Sequence, residues 1–142
     1  MRKARFLPIW LVLVVLLGCQ VHHDAGTAEE AAQIHPSKER QQGASAEITW
    51  GAPLDVTDLC QIIPRELAEL GLTVEDHSET ATRCQYNCKS LSGENVIVVA
   101  TATVKAQSMV QVKAPVNIIA NTVRREVSEA IRKAVMNRRD DP

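Results

Sequence analysis

The residues with the most chemistry to offer in this 142-residue chain are four cysteines: Cys19, Cys60, Cys84 and Cys88. A thiol can carry a covalent group, close a disulfide, hold a metal or act as a nucleophile, and its surroundings decide among these. Cys84-Gln85-Tyr86-Asn87-Cys88 brings two thiols together, with His77 the nearest histidine. The spacing is not the two-residue knuckle of structural zinc sites. Cys88 and His77 are the residue types of a nucleophile and its base, but no third group stands near to orient them. His22, His23 and Asp24 form a second polar cluster, without further donors to fix a selective geometry, and they read as spacer. Ser92-Gly93-Glu94-Asn95 reads as a hairpin turn, because a single glycine gives no phosphate cradle. The residues therefore predict no catalytic constellation, no metal and no cofactor. A redox- or metal-responsive use of Cys84, Cys88 and His77 stands as the alternative.

Cys19 belongs to a different pattern. Arg2, Lys3 and Arg5 make a basic start, and Phe6 to Gly18 follow without a charge. Those thirteen residues would span roughly 20 Å as a helix, short of a bilayer core of about 30 Å. A charged start and a brief apolar run are the marks of a secretory signal peptide. In place of the usual small-x-small cleavage site stands Leu16-Leu17-Gly18-Cys19. This tetrapeptide resembles the lipobox of bacterial lipoproteins: an aliphatic residue, a variable one, a small one, then Cys. The resemblance implies that residues 1–18 are removed. It also implies that Cys19 takes a diacylglyceryl group and, in many bacteria, a further acyl chain such as palmitate. One chain holds a protein to a membrane only marginally, whereas two or three hold it durably. By the same resemblance, Gln20 rather than Asp after the anchor favours the outer membrane of a two-membrane bacterium. In a single-membrane bacterium the site would be the outer leaflet of the cell membrane.

Charge and composition narrow the rest. The whole chain has 16 basic against 17 acidic residues. Loss of Arg2, Lys3 and Arg5 would leave 13 bases against 17 acids, a net charge of −4, with no pull toward nucleic acid. Past residue 18 the only aromatics are Trp50 and Tyr86, too few for a base-stacking platform. Residues 20–46 hold almost no large apolar side chain and read as a tether from Cys19, since they bury too little to offset the entropy of ordering. Ile48, Trp50 and Leu54 announce a folded part over 47–137, followed by a polar tail over 138–142.

Within the folded part, Val56, Leu59, Cys60, Ile63, Leu67 and Leu70 recur at helical spacing. Asp55 or Thr57 serves as the cap, Asp58 completes an approximate capping box, and Gly71 is the stop. Pro64 kinks this helix or starts a second one. Leu72–Val74 is a short strand, Thr82–Cys88 alternates as a half-buried one, Val96–Val104 is the strongest, and Met109–Ala114 follows. Asn117 caps a last helix to about Asn137, with Ile119, Val123, Val127, Ala130, Ile131 and Ala134 inward. Arg124, Arg125, Arg132, Lys133, Arg138 and Arg139 fall largely outside that stripe. The expected fold is α+β: a three- or four-stranded antiparallel sheet with two helices on one face.

The three remaining cysteines sit in a disulfide-permissive space if the chain is exported. Cys60 lies roughly 15 Å before the helix end, and a straight strand from Thr73 would carry Cys84 roughly 36 Å away. Bridged Cα atoms lie within about 7 Å. Pairing therefore requires a chain reversal near Ser78-Glu79-Thr80; with it, Cys60–Cys84 is favoured over Cys60–Cys88. Asp58-Leu59-Cys60-Gln61-Ile62-Ile63, Leu67-Ala68-Glu69-Leu70-Gly71 and Cys84-Gln85-Tyr86 resemble a family of small bacterial lipoproteins of unknown function. In that family a Cys-bearing helix start precedes a Cys-x-aromatic strand, and the resemblance implies the same Cys60–Cys84 pairing. The sheet face bearing Ile97, Val99 and Thr101 is apolar enough to seek a cover. The expected role is thus a lipid-anchored, non-enzymatic binding or assembly protein of the cell envelope, with an envelope protein as partner.

Overall fold

The computed structural model describes residues 38–104 and 108–140. The described elements are β1 (Lys38–Gln42), β2 (Ser45–Ala52), α1 (Val56–Glu69), β3 (Thr73–Thr80), β4 (Arg83–Lys89), β5 (Asn95–Ala102), β6 (Ser108–Pro115) and α2 (Ile118–Arg139). The strands form one open antiparallel sheet in the order β1-β2-β6-β5-β4-β3. After β2, helix α1 carries the chain to the far edge. There β3 begins a four-strand meander that returns to pair β6 with β2, and α2 closes the fold.

The α+β class and the pair of helices agree with the sequence reading, but six strands replace three or four. Both additional strands, β1 and β2, lie at the start. The sheet begins at Lys38, within the stretch read as tether, because Lys38–Gln42 pairs with Ser45–Thr49 across a tight turn at Gly43. β3, expected as the short strand Leu72–Val74, runs over Thr73–Thr80; it continues through Ser78-Glu79-Thr80, where a reversal was expected, and turns at Ala81-Thr82. Every residue of β1 and of β3 is exposed. Both are edge strands, held by backbone pairing to one neighbour and lacking an apolar face.

The inner strands alternate as their pleat requires. Ala46, Ile48, Trp50 and Ala52 on β2, Cys84, Tyr86 and Cys88 on β4, Val96, Val98 and Ala100 on β5, and Val110, Val112 and Ala114 on β6 are all buried in one core. The helices cover that face. Asp55 caps α1 by accepting a hydrogen bond from the Asp58 amide at 2.9 Å. Pro64 lies inside the helix without starting a new one. Gly71, at φ 74°, ends it in a conformation that other residues adopt at a cost. Asn117 caps α2 through the Ala120 amide at 2.7 Å. The buried stripe of α2 is Ala120, Arg124, Val127, Ser128, Ile131, Ala134 and Val135. Ile119, expected inward, is 53% exposed, and Arg124, expected outward, is 2% exposed. Small side chains let α2 sit close to the sheet, so packing rather than residue size sets its phase.

Candidate functional site

The expected thiol sites separate in space. Cys19, the proposed lipid-bearing residue, and His22, His23 and Asp24 lie outside the described residues. Cys60 on α1 and Cys84 on β4 pair as a disulfide, with Cα atoms 6.1 Å apart. The reversal at Ala81-Thr82 makes this possible: it turns β4 back beneath α1 and sets Cys84 under the helix stripe. Two residues along the same strand, the Tyr86 hydroxyl donates to the Cys60 carbonyl at 2.9 Å. Helix and strand are thus joined twice at one place, once by sulfur and once by a buried hydrogen bond.

Cys88 remains a free, buried thiol. Burial first, and the Glu75 carboxylate second, push it up to about 11. At neutral pH it is therefore almost wholly protonated, and the thiolate is the reactive form. His77 stands opposite Tyr86 in the ladder, whereas Cys88 stands opposite Val74. The imidazole stacks on the Tyr86 ring, with centroids 6.4 Å apart and planes 9° from parallel. The Tyr86 phenol is itself raised, mainly by burial, then by Glu79 and Cys88. Among the described residues, no three His, Cys, Asp or Glu side chains gather where they could hold a metal ion. The fold uses Cys84 in the bridge and points His77 at a ring.

No protein-family model matches this chain, and no curated protein does.

Ile97, Val99 and Thr101 lie, as expected, on the face of the sheet opposite the helices, since Val96, Val98 and Ala100 of the same strand point into the core. Their neighbours across the ladder are mostly polar: Gln85 and Asn87 on β4, and Gln111 and Lys113 on β6. Gln85 donates to Asn87 at 3.2 Å, and Asn87 to Asp76 at 3.4 Å, so a hydrogen-bonded carpet runs across this face. Val99 is closed over by it, only 4% exposed, while Ile97 is 36% exposed. Of the three residues, Ile97 is the one that presents apolar surface to a partner.

The helical side offers a different chemistry. An open groove of about 600 Å³ separates α1 and α2, lined by Arg65, Glu66 and Glu69 on one side and Lys133, Asn137 and Arg138 on the other. Arg65 pairs with Glu66 at 3.1 Å and reaches toward Glu69 at 4.0 Å. Such exposed pairs contribute little to stability and leave a mixed-charge surface. At the β1 edge, Glu39 accepts from both Arg124 and Arg125. Arg124 is buried, and its Nε and Nη1 groups have no hydrogen-bond partner among the described residues. Nearby, the Arg132 guanidinium lies 5.7 Å from the centre of the Trp50 ring. The sequence reading missed the Glu39–Arg124 link because β1 was not foreseen as a strand. It also passed over Leu91, although a lone leucine between two serines in a turn is a visible signal.

Proposed function

We propose that this protein is a bacterial lipoprotein, held to a membrane by acyl chains on Cys19, whose small α+β domain has a non-enzymatic binding or assembly role in the cell envelope. The observation that carries the reading is Leu16-Leu17-Gly18-Cys19 placed directly after a basic start and a short apolar run. Two features of the domain support it. A disulfide between Cys60 and Cys84 suits a protein that matures outside the reducing cytoplasm. The free thiol is buried and held protonated, which suits a structural residue rather than a nucleophile.

Gln20 after the anchor favours the outer membrane where a second membrane exists, and otherwise the outer leaflet of the cell membrane. An envelope protein that covers the open sheet face would meet Ile97 first, with Val99 and Thr101 beneath and beside it. Intact-mass analysis of the membrane-extracted protein tests the anchor: the expected mass lacks residues 1–18 and includes two or three acyl chains. A Cys19→Ser chain that matures normally and stays equally membrane-bound overturns it. In-cell crosslinking tests the face, where Ile97→Arg should abolish a crosslink that the parent makes.

A further inference from the structure

Five of the exposed large aliphatic side chains of this domain gather at one end. Because the strands are antiparallel, the β4–β5 turn, the exit from β6, the end of α1 and the start of α2 all lie at one end of the sheet. That end carries Leu91, 91% exposed, and Ile118, 86% exposed, with Ile119, Val116 and Leu70 around them. The opposite end carries one fully exposed aliphatic residue, Val104 after β5, together with Arg138, Arg139 and Asp140 at the close of α2. The two apolar tips are fixed to each other. The Asn117 side chain donates to Glu94 at 3.1 Å, joining the start of α2 to the β4–β5 turn. Leu91 also lies over Gly71, where an added Cβ would stand 3.3 Å from its Cδ1.

We propose that this end of the domain rests on the bilayer, with Leu91 and Ile118 inserted at the boundary between headgroups and acyl chains. The inference rests on the reading that Cys19 is lipidated. Nineteen residue steps join Cys19 to Lys38, and a chain of that length reaches at most roughly 65 Å. An eight-residue strand is only about 27 Å long, so either end of the domain lies within reach of the membrane. Composition then decides which end. The tip segments Ser90-Leu91-Ser92-Gly93 and Val116-Asn117-Ile118-Ile119 contain no charged residue. The charge beside them is Glu94, held by Asn117, so insertion brings one carboxylate to the headgroup level, whereas the opposite end would bring Arg138, Arg139 and Asp140. Leu91 edges a small pocket with Leu70, Leu72 and Val123, while Ile118, at the first turn of α2, stands clear of it. A fluid apolar phase can cover both side chains at once without matching either one's surroundings. Apolar area at a membrane surface strengthens attachment in proportion to what is buried, so the tip would fix the orientation of a domain that the anchor alone leaves free.

Tryptophan reporters test this in the full chain carrying Cys19, reconstituted into phosphatidylcholine–phosphatidylglycerol vesicles with brominated acyl chains. Trp50 is buried in the core and gives a constant background. Leu91→Trp and Ile118→Trp should each be quenched about twofold by the brominated lipid, as expected for a side chain at the acyl boundary. Val104→Trp, at the opposite end, should be unaffected. A chain that floats with the vesicles while all three reporters respond alike overturns the tip contact and leaves the anchor standing. Blue-shifted, unquenched emission at position 91 overturns it in favour of cover by a second copy or another protein. A chain that fails to float removes both the anchor and the tip.

Discussion

The bridge between Cys60 and Cys84 is the most exposed to measurement. It closes a loop with a sequence separation of 24. On the chain-entropy account, a crosslink over that loop disfavours the unfolded state by about 3.5 kcal/mol at 25 °C. Replacing both residues, Cys60→Ala with Cys84→Ala, also removes two sulfurs from the core, where Cys84 has no exposed surface. The Tyr86–Cys60 hydrogen bond survives, because its acceptor is a backbone carbonyl. The expected loss is therefore about 3–5 kcal/mol. For a domain of this size that is a fall in Tm of about 15–30 °C. Thermal unfolding followed by circular dichroism reads it directly. Alkylation in denaturant before and after reduction is the companion assay. Cys88 should label before reduction, and Cys60 and Cys84 only afterwards. A double variant that melts within about 2 °C of the parent would refute the argument from loop closure. Early labelling of Cys84 together with protection of Cys88 would refute the pairing.

Four further outcomes follow from the same structure. Because the folded Cys88 thiol is held near 11 against an ordinary value of 9.0, the unfolded chain loses its proton first. Its contribution to stability is then complete below pH 9 and falls between pH 9 and 11, by up to about 1.4 kcal/mol per pH unit; Cys88→Ala should flatten that part of a urea-midpoint profile. Removing Glu39 strands the buried Arg124 cation, so Glu39→Ala should cost about 1–2 kcal/mol in urea unfolding, more than Arg124→Met, which removes the charge itself; the reverse order would refute the assignment. Gly71→Ala forces a side chain onto φ 74° and against Leu91, so a loss of about 1–2 kcal/mol is expected by thermal melting. Gly43→Asn, at φ 60° and in open space, should cost only a few tenths of a kcal/mol by the same measurement.

Much of the core was legible in the sequence, because α1 and strands β4 to β6 carry their burial in their pattern; the inner strand β2 was not, although Ala46, Ile48, Trp50 and Ala52 alternate along it. Val96 to Ala102 could hardly be anything but a central strand, Asp55 and Asn117 were visible caps, and Ser92-Gly93 marked a hairpin that the structure forms. The edges were not legible. Lys-Glu-Arg-Gln-Gln in β1 and Thr-Val-Glu-Asp-His-Ser-Glu-Thr in β3 are exposed at every position. An edge strand that faces solvent on both sides leaves no alternation to read, and its conformation is imposed by the neighbour it pairs with. The helix α2 was foreseen in its extent but only in part in its rotation. Val127, Ile131 and Ala134 face inward as expected, but the first turn is rotated: Ile119 points outward, and close approach to the sheet selects Ala120, Arg124 and Ser128 instead. For the site, the choice of Cys84 over Cys88 followed from where the chain had to reverse. The separation of His77 from Cys88 followed from ladder register, which a single sequence does not reveal.

The order of the strands has a mechanical side. Whatever pulls on the segment before Lys38 pulls on the outermost strand at the end farthest from its hairpin, so its hydrogen bonds to β2 break one after another rather than all together. Such a seam opens at low force. Opening it through Ala44 would release roughly 23 Å of chain while leaving the helices, the meander and the Cys60–Cys84 bridge folded. The domain thus carries its own shock absorber, and its first casualty is the Glu39 link to Arg124.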